Sequence, residues 1–203
     1  MKVEKQIGIM LVIIAILLVF GFVGLYIYQE DRYSDVFFEY NGFVVHKVEK
    51  QGIPIYQVQL FINEGQQPYL IDSRYDPKEL ENIGIYTNVK EDIIKEKLFV
   101  TMDPNLSSKA TIAFSEIDAI MQNPFLFRLP TFPALLEKVE GNDLPIISCN
   151  DVNETTSVIK FRTNGDNTIF SEDGCVVLNA IDEDGLIRLA DRLVLTVLGV
   201  INQ

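Results

Sequence analysis

Two cysteines, one histidine and one run of three acids are the residues of this 203-residue chain whose types could carry covalent, acid–base or metal chemistry. Cys149 closes the apolar run LPIIS and Cys175 opens CVVLN, so each sits at the end of a predicted strand. In an oxidising compartment two such cysteines read as one disulfide. Its closed loop of about 25 residues would contribute roughly 3–4 kcal/mol in the chain-entropy model. The alternative is a pair of buried, inert thiols. A catalytic thiol is disfavoured, because the single histidine, His46, is remote in sequence and no redox or zinc spacing is present. His46 shares a strand face with Val44 and Val48, which favours a partly buried structural role. Asp182-Glu183-Asp184 lacks the alternating ligands and closing glutamate of a calcium loop. Acids at the positive end of a helix dipole explain it better. Arg74 and Asp76 read as a surface ion pair. There is no glycine-rich phosphate loop and no Gly-x-Ser-x-Gly elbow, so no catalytic residue, metal ligand or cofactor is assigned.

Three further features concern surfaces. Asn105-Leu106-Ser107 and Asn153-Glu154-Thr155 are glycosylation acceptor triplets, the second inside the predicted disulfide loop. The segment NPFLFRLPTFP, residues 123–133, concentrates Phe125, Phe127 and Phe132 among prolines that oppose regular structure. It reads either as a loop folded over the core or as an exposed contact for a partner or a membrane surface.

These residues need a compartment and a scaffold. Residues 7–28, IGIMLVIIAILLVFGFVGLYIY, run uncharged for 22 positions. As a helix this run spans roughly 33 Å, enough for a bilayer core of about 30 Å. It is longer than a signal-peptide core and is followed by no convincing cleavage site. Tyr26, Tyr28 and Tyr33 suit an interfacial belt. Lys2, Lys5 and the terminal amine precede the run and Arg32 alone follows closely, which predicts a cytoplasmic N-terminus. The expected organisation is a tail at 1–6, a membrane anchor at 7–28, a juxtamembrane linker at 29–35 and an extracytoplasmic domain at 36–203. The chain carries −12, and the two lysines and one glutamate of the tail add +1, leaving −13 outside. That balance argues against nucleic acid and against docking on anionic lipid.

The scaffold pattern is α+β. Asn41-Gly42 between β-prone runs predicts a type I′ hairpin. In residues 53–62, Tyr56, Val58, Leu60 and Ile62 form an apolar strand face, and PYLIDS is expected to pair with that strand. Asp76, Pro77 and Glu79 mark a helix start, with Gly84 as its stop. Asn88 and Glu91 mark another short helix. KLFVTM, a helix over about 108–122, a short helix in ALLEKVEG and the strand LPIISC suggest a crossover between parallel strands. SVIKFRT, NTIFSE and CVVLN, separated by Asn164-Gly165 and Asp173-Gly174, predict an antiparallel meander. An amphipathic helix follows from about Asp182 to Val200, its stripe running through Leu186, Ile187, Ala190, Leu193, Val194, Val197 and Leu198. Arg188, Asp191 and Arg192 make that helix too charged to be a second span.

YNGFVV, RYDPKELENI, the Cys149–Cys175 spacing and the ending ADRLVLTVLGV resemble uncharacterised single-span membrane proteins of archaea. That resemblance implies a location and no activity. The expectation is a membrane-anchored extracytoplasmic interaction module, a subunit of an envelope complex, contacting the bilayer through residues 7–28 and a protein partner through the Phe-rich segment. The alternative is an envelope hydrolase or isomerase, which a pocket of convergent polar groups would favour.

Overall fold

The first two hairpins are set by residues that tolerate positive φ. Strand β1 (Val36–Tyr40) turns at Asn41-Gly42 into β2 (Phe43–Lys50), and β2 turns at Gln51-Gly52 into β3 (Ile53–Leu60). All four turn residues have positive φ, between 50° and 83°. Such two-residue turns match the twist of the strands they join. Strand β4 (Tyr69–Ser73) pairs antiparallel with β3 and ends a four-stranded sheet ordered β1-β2-β3-β4. Tyr40, Val45, Ile55, Val58, Leu60, Ile71 and Ser73 are its buried residues.

The computed structural model describes residue 19, residues 36–62 and residues 68–202. The predicted tail and juxtamembrane linker lie outside the described residues, as does the predicted anchor apart from Val19. Among the described residues no helix is long and apolar enough to cross a membrane.

A six-stranded mixed sheet follows. Its strands are β5 (Ile85–Tyr86), β6 (Lys97–Met102), β7 (Thr131–Leu135), β8 (Thr156–Arg162), β9 (Thr168–Glu172) and β10 (Cys175–Asn179). Their order is β5-β9-β10-β8-β6-β7. Strands β6, β7, β8 and β10 are mutually parallel, and β9 is antiparallel to β10. Four helices complete the described unit: α1 (Pro77–Leu80), α2 (Val89–Ile93), α3 (Ser108–Met121) and α4 (Glu183–Val197). The main core joins Val45, Val58 and Ile71 of the first sheet to Leu98, Val100, Ile159, Phe161 and Leu178 of the second, with the apolar faces of α3 and α4.

The α+β class and the amphipathic C-terminal helix match the expectation, but the meander does not. Strand β10 lies between β8 and β9, parallel to β8. Its five residues, CVVLN, are all buried. A strand buried on both faces belongs in the middle of a sheet, whereas β9 is only partly covered. Asn164-Gly165 is therefore not a hairpin turn. Gly165 is needed for close approach, since a Cβ there would sit 2.1 Å from Asn179 Oδ1. Beyond β8 the chain keeps pairing alongside the exit of β10, with Gly165 N donating to Ala180 O at 2.7 Å. Asp173-Gly174 does form the predicted tight turn, both residues at positive φ.

Three smaller expectations also change. ALLEKVEG contains no helix, because Ala134 and Leu135 complete β7. The parallel partner reached through α3 is thus β7, and Pro133 is accommodated near the sheet edge, where few ladder bonds are lost. LPIISC is not a regular strand. Ile146 makes a single bridge to Leu135, and Cys149–Asp151 is a 3-10 turn closed by a Ser148–Asp151 capping box. Helix α1 stops at Leu80, a turn before Gly84.

Candidate functional site

Asp191 lies on the buried side of α4 because its spacing puts it there. It is four residues after Ile187 and three before Val194, both in the apolar stripe, and it is 3% exposed. A carboxylate in that position must be paid in hydrogen bonds. Oδ2 accepts three, from Ser73 Oγ at 2.9 Å, Arg74 N at 2.7 Å and Tyr75 N at 3.1 Å. The end of β4 is thereby tied to α4.

Glu116 reaches the same point from α3. Its Oε1 accepts from Arg74 Nε at 2.5 Å. Its Oε2 is buried with no donor to accept from among the described residues. The two carboxyl groups act on each other through their charge, since both are tied to Arg74, Glu116 at its Nε and Asp191 at its backbone N–H. Of the two, Glu116 holds a proton more readily, because Asp191 already accepts from three donors while Glu116 Oε2 has none among the described residues. Burial, then the Asp191 charge, pushes Glu116 up to about 8, with Arg74 opposing. Burial also raises Asp191, against the bonds from Ser73, Tyr75 and Arg74. The pair thus holds protons more tightly than two free carboxyls would, Glu116 foremost.

Beside this pair a cleft of about 400 Å³ separates β4 from α3. One wall is Tyr69, Leu70, Ile71, Asp72 and Arg74; the other is Thr111, Ile112, Ser115, Glu116, Ala119 and Ile120. The helix residues recur at i, i+4, so they form one face. Strand β4 is a sheet edge. Among the described residues no hydrogen bond reaches the backbone of residues 69–72 from the side opposite β3. The cleft is thus bounded by unpaired strand backbone, by a helix face that mixes Ile112, Ala119 and Ile120 with Thr111, Ser115 and Glu116, and by Arg74.

Apart from Arg74, the residues singled out from sequence lie elsewhere. Cys149 and Cys175 form a disulfide with Cα atoms 5.2 Å apart, packed with Val158 and Val177 on the sheet face opposite α4. His46 is half-buried, with the Phe37 ring 6.2 Å away. Asn105 and Asn153 are both exposed. Asn153 Oδ1 accepts from Thr155 N and Thr156 N, each at 3.0 Å. The three phenylalanines are not one patch. Phe125 is 65% exposed, Phe127 packs on the main core, and Phe132 lies in β7 with its ring 5.5 Å from Phe99.

The acidic run caps helices, as its position predicts. Asp182 Oδ1 accepts from Gly185 N at 2.8 Å, Glu183 accepts from Ser107 N at 2.8 Å, and Asp184 pairs with Lys109 at 2.6 Å. These contacts line a second cleft of about 420 Å³ between the starts of α3 and α4 and occupy its charged groups. Arg74 and Asp76 do not pair: Arg74 takes Glu116, and Asp76 caps α1 through Lys78 N at 2.9 Å. Among the described residues no group of three or more His, Cys, Asp or Glu could hold a metal ion.

No protein-family model, no curated protein and no solved structure matches the chain. Function must therefore be argued from the cleft.

Proposed function

We propose that the domain is a membrane-anchored extracytoplasmic interaction module whose recognition element is the groove between β4 and α3. The unpaired edge of β4 facing a helix across an open cleft carries this reading. An extended peptide can add there as a further strand, its backbone pairing with residues 69–72 and its side chains meeting Ile112, Ala119 and Ile120. The wall from Tyr69 to Ser73 is five residues long, about 16 Å, so it takes a segment of about five residues. The partner is accordingly a protein or peptide with an exposed extended segment. The groove is preferred here to the Phe-rich segment, in which Phe127 packs against the core while Phe125 and Phe132 stay exposed.

Selection of random decapeptides on the full-length chain in detergent micelles tests the proposal. Selected peptides should slow amide exchange in residues 69–72 and lose binding in Ala119→Arg, where an exposed groove position gains bulk. They should keep binding in Phe125→Ser. Peptides that bind without protecting β4, or that ignore Ala119→Arg, would overturn the groove as the recognition element.

A further inference from the structure

Resting on that reading of the groove, we propose that Arg74 receives a carboxylate of the bound strand while Glu116 carries a proton, and that ionisation of Glu116 closes this receptor. The ligand class is an extended peptide whose C-terminus or acidic side chain reaches the Ser73–Tyr75 end of the groove.

Arg74 leaves part of its donor capacity unused. Its backbone N–H is spent on Asp191 and its Nε on Glu116. Among the described residues its side chain makes no other hydrogen bond, and it is 36% exposed. The two terminal nitrogens of a guanidinium form a fork that fits a carboxylate bidentately. With Glu116 protonated, the neighbouring acids together carry one negative charge, and that charge sits on Asp191 beneath three donors. Arg74 then keeps most of its positive charge for an incoming anion. With Glu116 ionised, two carboxylates face one guanidinium, and a third is repelled.

The other charged groups facing Glu116 do not replace this control. From β4, Asp72 is engaged by Lys50 at 2.5 Å and by Gln57 at 2.7 Å. The turn after β4 adds Tyr75, whose hydroxyl is pushed up first by burial and then by Asp184. From α4, Arg188 stacks over the Tyr75 ring at 5.4 Å, and Asp184 is paired with Lys109. Strand β7, which also packs on α3, carries no ionisable side chain. Glu116 is thus the carboxyl on the Arg74 side chain whose charge burial displaces most, while Asp191 is held by its three donors.

Propionate is the probe, with the full-length chain in micelles and the Arg74 Nε–H resonance as readout. Propionate should shift that resonance at pH 6.5 and bind about tenfold more weakly at pH 9, following the protonated fraction of a group that titrates at about 8. Glu116→Gln mimics the uncharged acid at every pH, so it should bind at both pH values alike. Arg74→Lys keeps the charge without the fork and should weaken binding, while a melting curve confirms its fold. Equal propionate binding at both pH values in the natural chain, or a pH dependence that survives in Glu116→Gln, would overturn the gate. No propionate binding at pH 6.5 would overturn the receptor. Peptide protection of residues 69–72 is independent of both results and judges the groove on its own.

Discussion

Asp191 and Glu116 make stability depend on pH in an unusual direction. Both carboxyls are raised by burial in the folded chain, so between their unfolded and folded values the folded state binds more protons. Stability must then fall as pH rises through that window, by about 1.4 kcal/mol per pH unit for one proton. For Glu116 the window runs from about 4.5, its ordinary value, to about 8. The domain should melt at a lower temperature at pH 8 than at pH 5.5, and Glu116→Gln should flatten that decline. A melting temperature independent of pH in the natural chain would show that Glu116 is ionised throughout. Asp191→Ala should cost more than Glu116→Gln at any pH, because it strips an acceptor from Ser73 Oγ and two backbone N–H groups at once. Part of this was legible. A charge at stripe spacing in α4 is a sequence signal for a buried, partnered acid, although read alone it counts only against a membrane span. Glu116 lies between Ile112 and Ile120 at the same i±4 spacing. What no spacing reveals is that β4 brings Arg74 between the two helices.

Among the elements, local chemistry was readable wherever a turn or cap depends on one or two residues. The Asn41-Gly42 and Asp173-Gly174 turns, the Asp76-Pro77 start and the ends of α3 all follow such rules. Strand order was not, because β8, β9 and β10 read alike in any sequence window and only burial on both faces of β10 separates them. The Phe-rich segment shows the same limit. Its irregularity followed from its prolines, but which rings are covered depends on the course of α3 and β7. Phe127→Ser should therefore destabilise by about 2–4 kcal/mol, somewhat less than the truncation of a fully buried phenylalanine because the ring is only partly covered, whereas Phe125→Ser should leave the melting temperature nearly unchanged. Equal effects in urea denaturation would refute this division. The disulfide ties the 3-10 turn at Cys149 to the start of β10. Cys149→Ser and Cys175→Ser should lose similar stability, roughly 3 kcal/mol, since either opens the same loop. A marked asymmetry between the two variants would point to lost packing around the buried Cys175.

For the whole molecule, charge and the open edge act against each other. A bare strand edge invites a second copy to pair with it. The domain beyond the apolar run carries −13, and repulsion between like-charged copies opposes that pairing. Added salt shortens the range of this repulsion from about 8 Å at 0.15 M to about 3 Å at 1 M. The fold described for residues 37–202 has its own core, capped helices and disulfide. A chain beginning at Tyr33 should therefore fold without the apolar run and behave as a monomer at 0.15 M salt. At 1 M salt it should self-associate, and Ala119→Arg should suppress this by filling the groove beside the edge. Light scattering coupled to size exclusion reads all three states. Aggregation at 0.15 M without reductant would mean that the apolar run or a partner completes the fold. Self-association at 1 M that ignores Ala119→Arg would place the adhesive surface on the exposed apolar residues of the other sheet, Phe132 and Ile146.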